Sequence, residues 1–276
     1  MPRSSPISMT FPPFAGTVRK LVFANVGVYF AYLLLQIFAP AFTYSLLGLL
    51  VLHPLSVAHG AVWQLATYCF LNLDLLSILF AMMTLWFCGS LLEGAYGSRW
   101  LAELYFTSVI GGAIVASVIS FTRILHLSPD SVGTGAWAGL FGVLIAIGVR
   151  MGDTEFMLFP LPFTIRAKYM VAIDILIALA IVLHNQGALG ALLQLSGALA
   201  GYFYVRYAPR RGLAFGFSEQ FFGLRNAWYR AKRRRAARKF EVYMGKQGRK
   251  VRFDDEGRYL DPDEERKNPN DKRWMN

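Results

Sequence analysis

Apolar residues along this chain come in six long runs, none carrying a polar stripe at helical spacing, which predicts helices surrounded by lipid rather than helices with one wet face. The first run is Leu21 to Phe38, the second about Tyr68 to Cys88, and the third about Trp100 to Phe121. The fourth, Gly135 to Val149, holds only 15 residues, whereas a helix crossing a hydrocarbon core of ~30 Å needs roughly 20. The fifth is about Tyr169 to Leu183 and the sixth Leu189 to about Tyr207. So short a fourth span must begin below the membrane surface, under the loop Leu127-Ser128-Pro129-Asp130-Ser131. Irregular backbone at that depth requires protein or a water-filled cavity around it. The expected fold class is an all-α membrane protein, a bundle of six transmembrane helices. The expected domains are an N-terminal segment 1–20, a membrane domain 21–207 and a tail 208–276.

Composition agrees with this pattern. Of 276 residues 55% are hydrophobic and 16% charged, with a mean hydropathy of +0.40, which excludes an ordinary soluble domain. The first run resembles a secretory signal, with Ala39-Pro40-Ala41 as a small-residue cleavage site, but it exceeds an h-region of about 7–15 residues and further spans follow it. A retained helix is expected. Cys69 and Cys88 are both placed in the second span, without metal-type spacing, so no disulfide, metal or cofactor is expected.

Residues 39–66 contain no Asp, Glu, Lys or Arg, yet carry Pro40, His53, Pro54, His59, Gly60 and Trp63. That composition predicts a first loop lying in the membrane interface. Positive charge fixes the orientation. Arg3, Arg19, Lys20, Arg99, Arg150, Arg166, Lys168 and Arg206 fall on one side and only Arg123 on the other. Both termini are then cytoplasmic, in a multi-pass protein of a bacterial inner or plasma membrane.

Most of the net charge of +11 sits in the tail, where residues 208–276 hold 19 of the 28 Lys and Arg. From Ser218 to Lys239, Phe221, Leu224 and Trp228 recur at helical spacing beside Lys232, Arg233, Arg234, Arg235 and Arg238. This predicts an amphipathic helix attracted to anionic lipid. Nucleic acid is the rival partner for such a patch, and its place directly after a span disfavours it, so none is expected. After Phe240 acidic and basic clusters alternate, predicting a largely disordered end with one hairpin around Gly245–Gly248.

Small residues mark the helix contacts. Gly135 and Gly139 in the fourth span, and Gly190, Gly197 and Gly201 with Ser196 in the sixth, allow close approach, so these two spans are expected to pack together. Gln194 shares a face with the sixth-span glycines and is either a hydrogen-bonded packing residue or part of a binding cavity. Four acids lie within or at the ends of spans: Asp74, Glu93, Glu103 and Asp174. Glu103 follows Arg99 by one helical turn, and Asp174 lies within reach of Lys168. Structural hydrogen bonds or snorkelled charges are expected of them rather than ion transport, which would need a continuous polar path.

The stretch Ala61-Val62-Trp63-Gln64-Leu65-Ala66-Thr67-Tyr68-Cys69-Phe70-Leu71-Asn72 resembles the first-loop signature of rhomboid intramembrane serine proteases, E-W-W-R-L-x-T-Y-x-F-L-H. The resemblance continues through Leu85–Glu93 and Tyr96–Arg99. It extends to Gly135-Ala136-Trp137-Ala138-Gly139-Leu140-Phe141-Gly142 against G-A-S-G-A-x-F-G, and to Leu195–Gly201, covering about residues 20–207. It implies a six-span rhomboid-like bundle and, in active relatives, serine-type endopeptidase activity from a Ser–His pair.

Carried over position by position, the nucleophilic serine falls on Trp137 and the histidine on Gln194; a second register puts the serine on Gly135. The oxyanion-binding His and Asn fall on Ser77 and Ala81, the first-loop His on Asn72 and its Arg on Gln64. Indole is no nucleophile and a carboxamide no base. The resemblance therefore implies a pseudoprotease that binds transmembrane segments of client proteins, with Gly135, Gly139, Gly197, Gly201 and Gln194 on its packing and client-binding surface. Two alternatives are an active protease using Thr134, Ser196 or another relocated nucleophile with His53, His59, His126 or His184, and a small transporter or channel.

Overall fold

In a computed structural model, the described residues are 12–123, 127–157, 164–184, 188–208 and parts of 225–260. The chain divides into two compact units, Met1–Leu213 and Ala214–Asn276.

The first unit is mostly helical. Helix α1 (Gly16–Phe38) buries only Val18, Leu21, Asn25 and Tyr29, a single narrow stripe, and leaves Phe23, Phe30, Leu34 and Ile37 exposed. Its N-cap, Ala15, has no side chain able to accept the first free amides. Glu93 does so from elsewhere: its carboxylate accepts Thr17 N–H at 2.7 Å and Val18 N–H at 3.0 Å. A carboxylate there also meets the positive end of the helix dipole. Ser98 Oγ donates to the same carboxylate.

The first loop is not irregular. Helices α2 (Pro40–Leu50), α3 (Pro54–Ala58) and α4 (Gln64–Thr67) and a 3-10 turn at Tyr68–Phe70 occupy it. The free carbonyls ending α2 are taken by side chains: Trp63 Nε1 donates to Leu49 O, Gln64 Nε2 to Gly48 O and Leu49 O, and Thr67 Oγ1 to Leu50 O.

A 22-residue span follows, Leu75–Tyr96. It consists of α5 (Leu75–Thr84), one π-helical stretch at Leu85–Gly89, and α6 (Ser90–Tyr96). Asp74 starts it, its carboxylate accepting Ser77 N–H at 2.7 Å, and Gly97 ends it with φ +90. The second span thus begins seven residues later than its apolar run suggests, because the N-cap at Asp74 outweighs continuity of hydrophobicity. In consequence Cys69 and Cys88 do not share a helix; both are buried and free.

Helix α7 (Ser98–Phe121) is the central span, and α8 (Trp137–Arg150) has 14 residues, about 21 Å of helix. Strands β1 (Glu155–Met157) and β2 (Thr164–Arg166) pair antiparallel, with Phe156 opposite Ile165. The chain is mostly helical, as expected, but not wholly so: Phe156, Thr164 and Ile165 are β-favouring and sit in this short strand pair. Helices α9 (Ala167–Leu183) and α10 (Ala188–Tyr207) complete the unit.

Among the described residues three helices are long and apolar enough to cross a membrane: α1, the α5–α6 span and α7. Helix α8 is too short to do so unaided, and α9 has 17 residues, about 25 Å.

In the second unit the described residues between 225 and 246 are helical, with Lys232 Nζ 5.4 Å from the Trp228 ring centroid. Strands β3 (Arg252–Phe253) and β4 (Tyr259–Leu260) pair antiparallel. Of the stretch around Gly245–Gly248, where a hairpin is expected, residues 245, 247 and 248 lie outside the described residues.

Candidate functional site

The entry to α8 is built by long-range pairing. Leu52 and Gly133 exchange both backbone hydrogen bonds, at 3.0 and 2.9 Å, forming an isolated bridge between the first loop and the segment preceding α8. Gly135 N–H then donates to Tyr68 O at 3.0 Å with φ +97, a conformation that favours glycine. Asn72 Oδ1 accepts Ala136 N–H at 3.3 Å, and Asn72 Nδ2 donates to Asn25 Oδ1 at 3.0 Å. Asn25 in turn donates to Leu21 O. Both asparagines are buried, so this chain of satisfied amides ties α1, the first loop and the start of α8.

Trp137, the first residue of α8, turns its indole towards α5, and its Nε1–H donates to Ser77 Oγ at 2.9 Å. Ala81, one turn further along α5, is fully buried. The structure therefore brings Trp137 and Ser77 into contact.

The glycines do what their size permits. A Cβ on Gly197 would collide with the Ala138 carbonyl, and one on Gly201 would lie 2.6 Å from Gly142 Cα, so α10 and α8 run in near backbone contact. Gly139 accommodates the Tyr105 ring and Gly142 the Ser108 side chain, both from α7. Gly190 faces open space. Gln194 is half-buried on α10.

The Ser196 and Ser56 hydroxyls are engaged in local contacts. Ser196 Oγ is held by the carbonyls of Gly112 and Leu192 at 2.9 and 2.7 Å. Ser56 Oγ lies 3.2 Å from His53 Nδ1, and the same nitrogen accepts Ser56 N–H at 3.3 Å, which is the N-cap of α3. His59 Nδ1 bonds Leu55 O, and His184 is exposed in the turn after α9. His126 lies outside the described residues.

One expected pairing of the four acids is replaced. Glu93 and Asp74 cap helices, as above. Glu103 accepts from Tyr204 Oη at 3.0 Å, a partner 101 residues away. Lys168 bonds Asp153, at 2.8 Å, not Asp174; the tight turn after α8 brings Asp153 closer. Lys168 holds the Asp153 carboxyl below the usual carboxylate range. Arg150 closes the other end of the α8–α10 contact by donating to Val205 O at 2.7 Å.

In the tail Lys232, Arg233 and Arg235 are exposed on helical backbone, while Arg234, Arg238, Phe221 and Leu224 lie outside the described residues. Among the described residues no group of three or more His, Cys, Asp or Glu could hold a metal.

Sequence comparison with curated proteins finds no match. The model of one family, described as "Eukaryotic integral membrane protein (DUF1751)", matches residues 19–226. That description gives no support to the bacterial membrane expected from the sequence. The match spans about three-quarters of the chain, from α1 past the end of α10, and the chain belongs to this family of eukaryotic integral membrane proteins.

Proposed function

We propose that this protein is a rhomboid-like pseudoprotease, a six-span membrane protein with cytoplasmic termini that binds transmembrane segments of other membrane proteins without cutting them. The observation that carries the reading is the Trp137–Ser77 hydrogen bond. These are the positions of the nucleophile and of one oxyanion donor in the resemblance, and here they hold an indole and a hydroxyl bonded to each other. A substrate carbonyl would have to displace the indole, and no imidazole stands at Gln194 to activate an incoming hydroxyl. The close α7–α8–α10 packing that a rhomboid-like scaffold needs is retained at Gly139, Gly142, Gly197 and Gly201. Client binding rests on that retained scaffold and on helix faces that expose large apolar residues. The basic tail adds attraction to anionic lipid.

The test is a single-span model protein co-reconstituted in liposomes with purified wild type, with Trp137→Ser/Gln194→His, and with an unrelated polytopic protein. Photocrosslinking to wild type above the unrelated control, with no cleavage product, is the expected result. Cleavage by wild type overturns the loss of catalysis. Crosslinking at the control level overturns client binding. Cleavage by the double variant alone establishes the position-by-position correspondence.

A further inference from the structure

The chain enters α1 by a reversal. Ala15 is extended, and Gly16 follows with φ +57, at a place where a Cβ would collide with the Glu93 carboxylate. Glycine is required at this turn twice over, by its backbone angle and by the closeness of Glu93. The residues before the turn stay on the bundle. Phe14 packs edge-on against Phe23 of α1, with ring centroids 5.7 Å apart, and against Trp86 of the second span at 6.0 Å. Trp86 Nε1 donates to Pro12 O at 3.2 Å.

These partners fix the depth of the segment. Both α1 and the span Leu75–Tyr96 are long and apolar enough to cross a membrane. Gly16 begins α1 beside Glu93, whose carboxylate caps Thr17 and Val18. Phe23 is seven residues further along α1, and Trp86 is seven residues back from Glu93 on the second span. The two helices run in opposite directions, so both steps lead the same way, about 10 Å into the bilayer at ~1.5 Å per residue. Phe14 precedes α1 by two residues, yet its ring lies two helical turns deeper than the start of that helix.

The chemistry of the segment suits that depth. Residues 4–18 carry no Asp, Glu, Lys or Arg. Backbone amides in hydrocarbon need partners, and Pro12 and Pro13 have no N–H to satisfy. The Pro12 carbonyl takes the Trp86 indole, a donor that itself needs a partner away from water. We propose that residues 12–15 form a re-entrant strap, inserted in the leaflet nearest the N terminus and seated between α1 and the second span, so that the protein's own chain closes this groove to the transmembrane helix of a partner. The inference concerns this groove alone and stands whether or not clients bind elsewhere on the bundle.

The experiment is nitroxide accessibility by electron paramagnetic resonance on full-length protein in liposomes, with a label at Pro13→Cys or at Ala15→Cys. The native Cys69 and Cys88 are buried, and the unsubstituted protein gives their background. Collision with oxygen reports lipid, and collision with a nickel chelate reports water. A strap that turns back places Pro13 deeper than Ala15, so oxygen collisions should rise and nickel collisions fall from Ala15→Cys to Pro13→Cys. The opposite order, as in a tail leaving the membrane, or no difference between the two sites, overturns insertion. Trp86→Phe keeps an aromatic ring and removes one neutral hydrogen bond, so it should raise nickel collisions at Pro13→Cys about two- to tenfold. No rise overturns the part of the indole in seating the strap. Closure is read with p-benzoylphenylalanine in place of Phe23, activated in native membranes, which should crosslink within the chain to residues 12–15. Crosslinks to another protein, or none to residues 12–15, overturn it.

Discussion

Glu93 and Val18 are 75 residues apart in sequence, yet the Glu93 carboxylate accepts the Val18 amide at 3.0 Å and the Thr17 amide at 2.7 Å, supplying the cap that Ala15 cannot. Charged acceptors on free helix amides are worth about 1–3 kcal/mol. Glu93→Ala should lower unfolding stability in detergent by about that much, and Glu93→Gln by less, because a carboxamide oxygen still accepts. Equal stability of all three proteins would show that the contact contributes nothing.

Gly197 and Gly201 differ from Gly190 only in what faces them, which makes a controlled comparison on one helix. Gly197→Ala and Gly201→Ala push a methyl into the backbone of α8 and should each destabilise by about 1–3 kcal/mol. Gly190→Ala meets nothing within 4 Å. It should be neutral, or gain up to about 1 kcal/mol from helix propensity. Unfolding monitored by circular dichroism in one detergent separates the three.

Asn72 holds two elements at once. Asn72→Ala leaves the Ala136 amide and the Asn25 carboxamide without their partner in a buried place, costing about 1–3 kcal/mol. Asn25→Ala/Asn72→Ala together should cost less than the sum of the single changes, since they share a bond. Strict additivity would mean that the two amides do not cooperate.

Asp153 gives the chain an acid-sensitive contact outside its spans. Its folded carboxyl is depressed by Lys168, relative to an ordinary value of 3.8. A depressed carboxyl stabilises fully above its unfolded value, and the contribution fades as pH falls below 3.8 through the lower folded value. Both partners are solvated, so the effect is small and salt-sensitive. Melting profiles from pH 7 to pH 2.5 should differ between wild type and Asp153→Asn above that window and converge below it. Profiles that stay parallel throughout would exclude the contact.

Local signals carried much of this fold. The shortness of α8, the small-residue faces that bring α10 onto it, and a chain built of apolar helices all follow from residue spacing, because lipid exposure and close packing impose periodic demands. The second span starts later than its apolar run suggests for an equally local reason: Tyr68 to Leu73 are apolar enough to read as helix. The cue that ends the ambiguity, an Asp three residues before a free amide, was present at Asp74. Other features have no local signature. The Glu93 cap, the Leu52–Gly133 bridge and the Asn25–Asn72 bond join residues 47 to 81 positions apart. The π-helical stretch reads in sequence as continuous helix. At the candidate site the sequence placed Trp137 and Ser77 on corresponding family positions, but not their hydrogen bond, which depends on the rotation of α5.

The long reach of Glu93 also orders events during synthesis. Glu93, the acceptor of the first α1 amides, is made 75 residues after Val18, when the whole of α1 has already been synthesised. Before then α1 can be met by the first loop, as in the Asn25–Asn72 bond, but its first amides stay uncapped. Residues 93–98 then anchor the start of α1 through Thr17 and Val18, at the head of its buried Val18–Leu21–Asn25 stripe. A nascent chain stalled before Glu93 would carry an inserted but unseated first helix. The end of the second span thus supplies the N-terminal cap of the first.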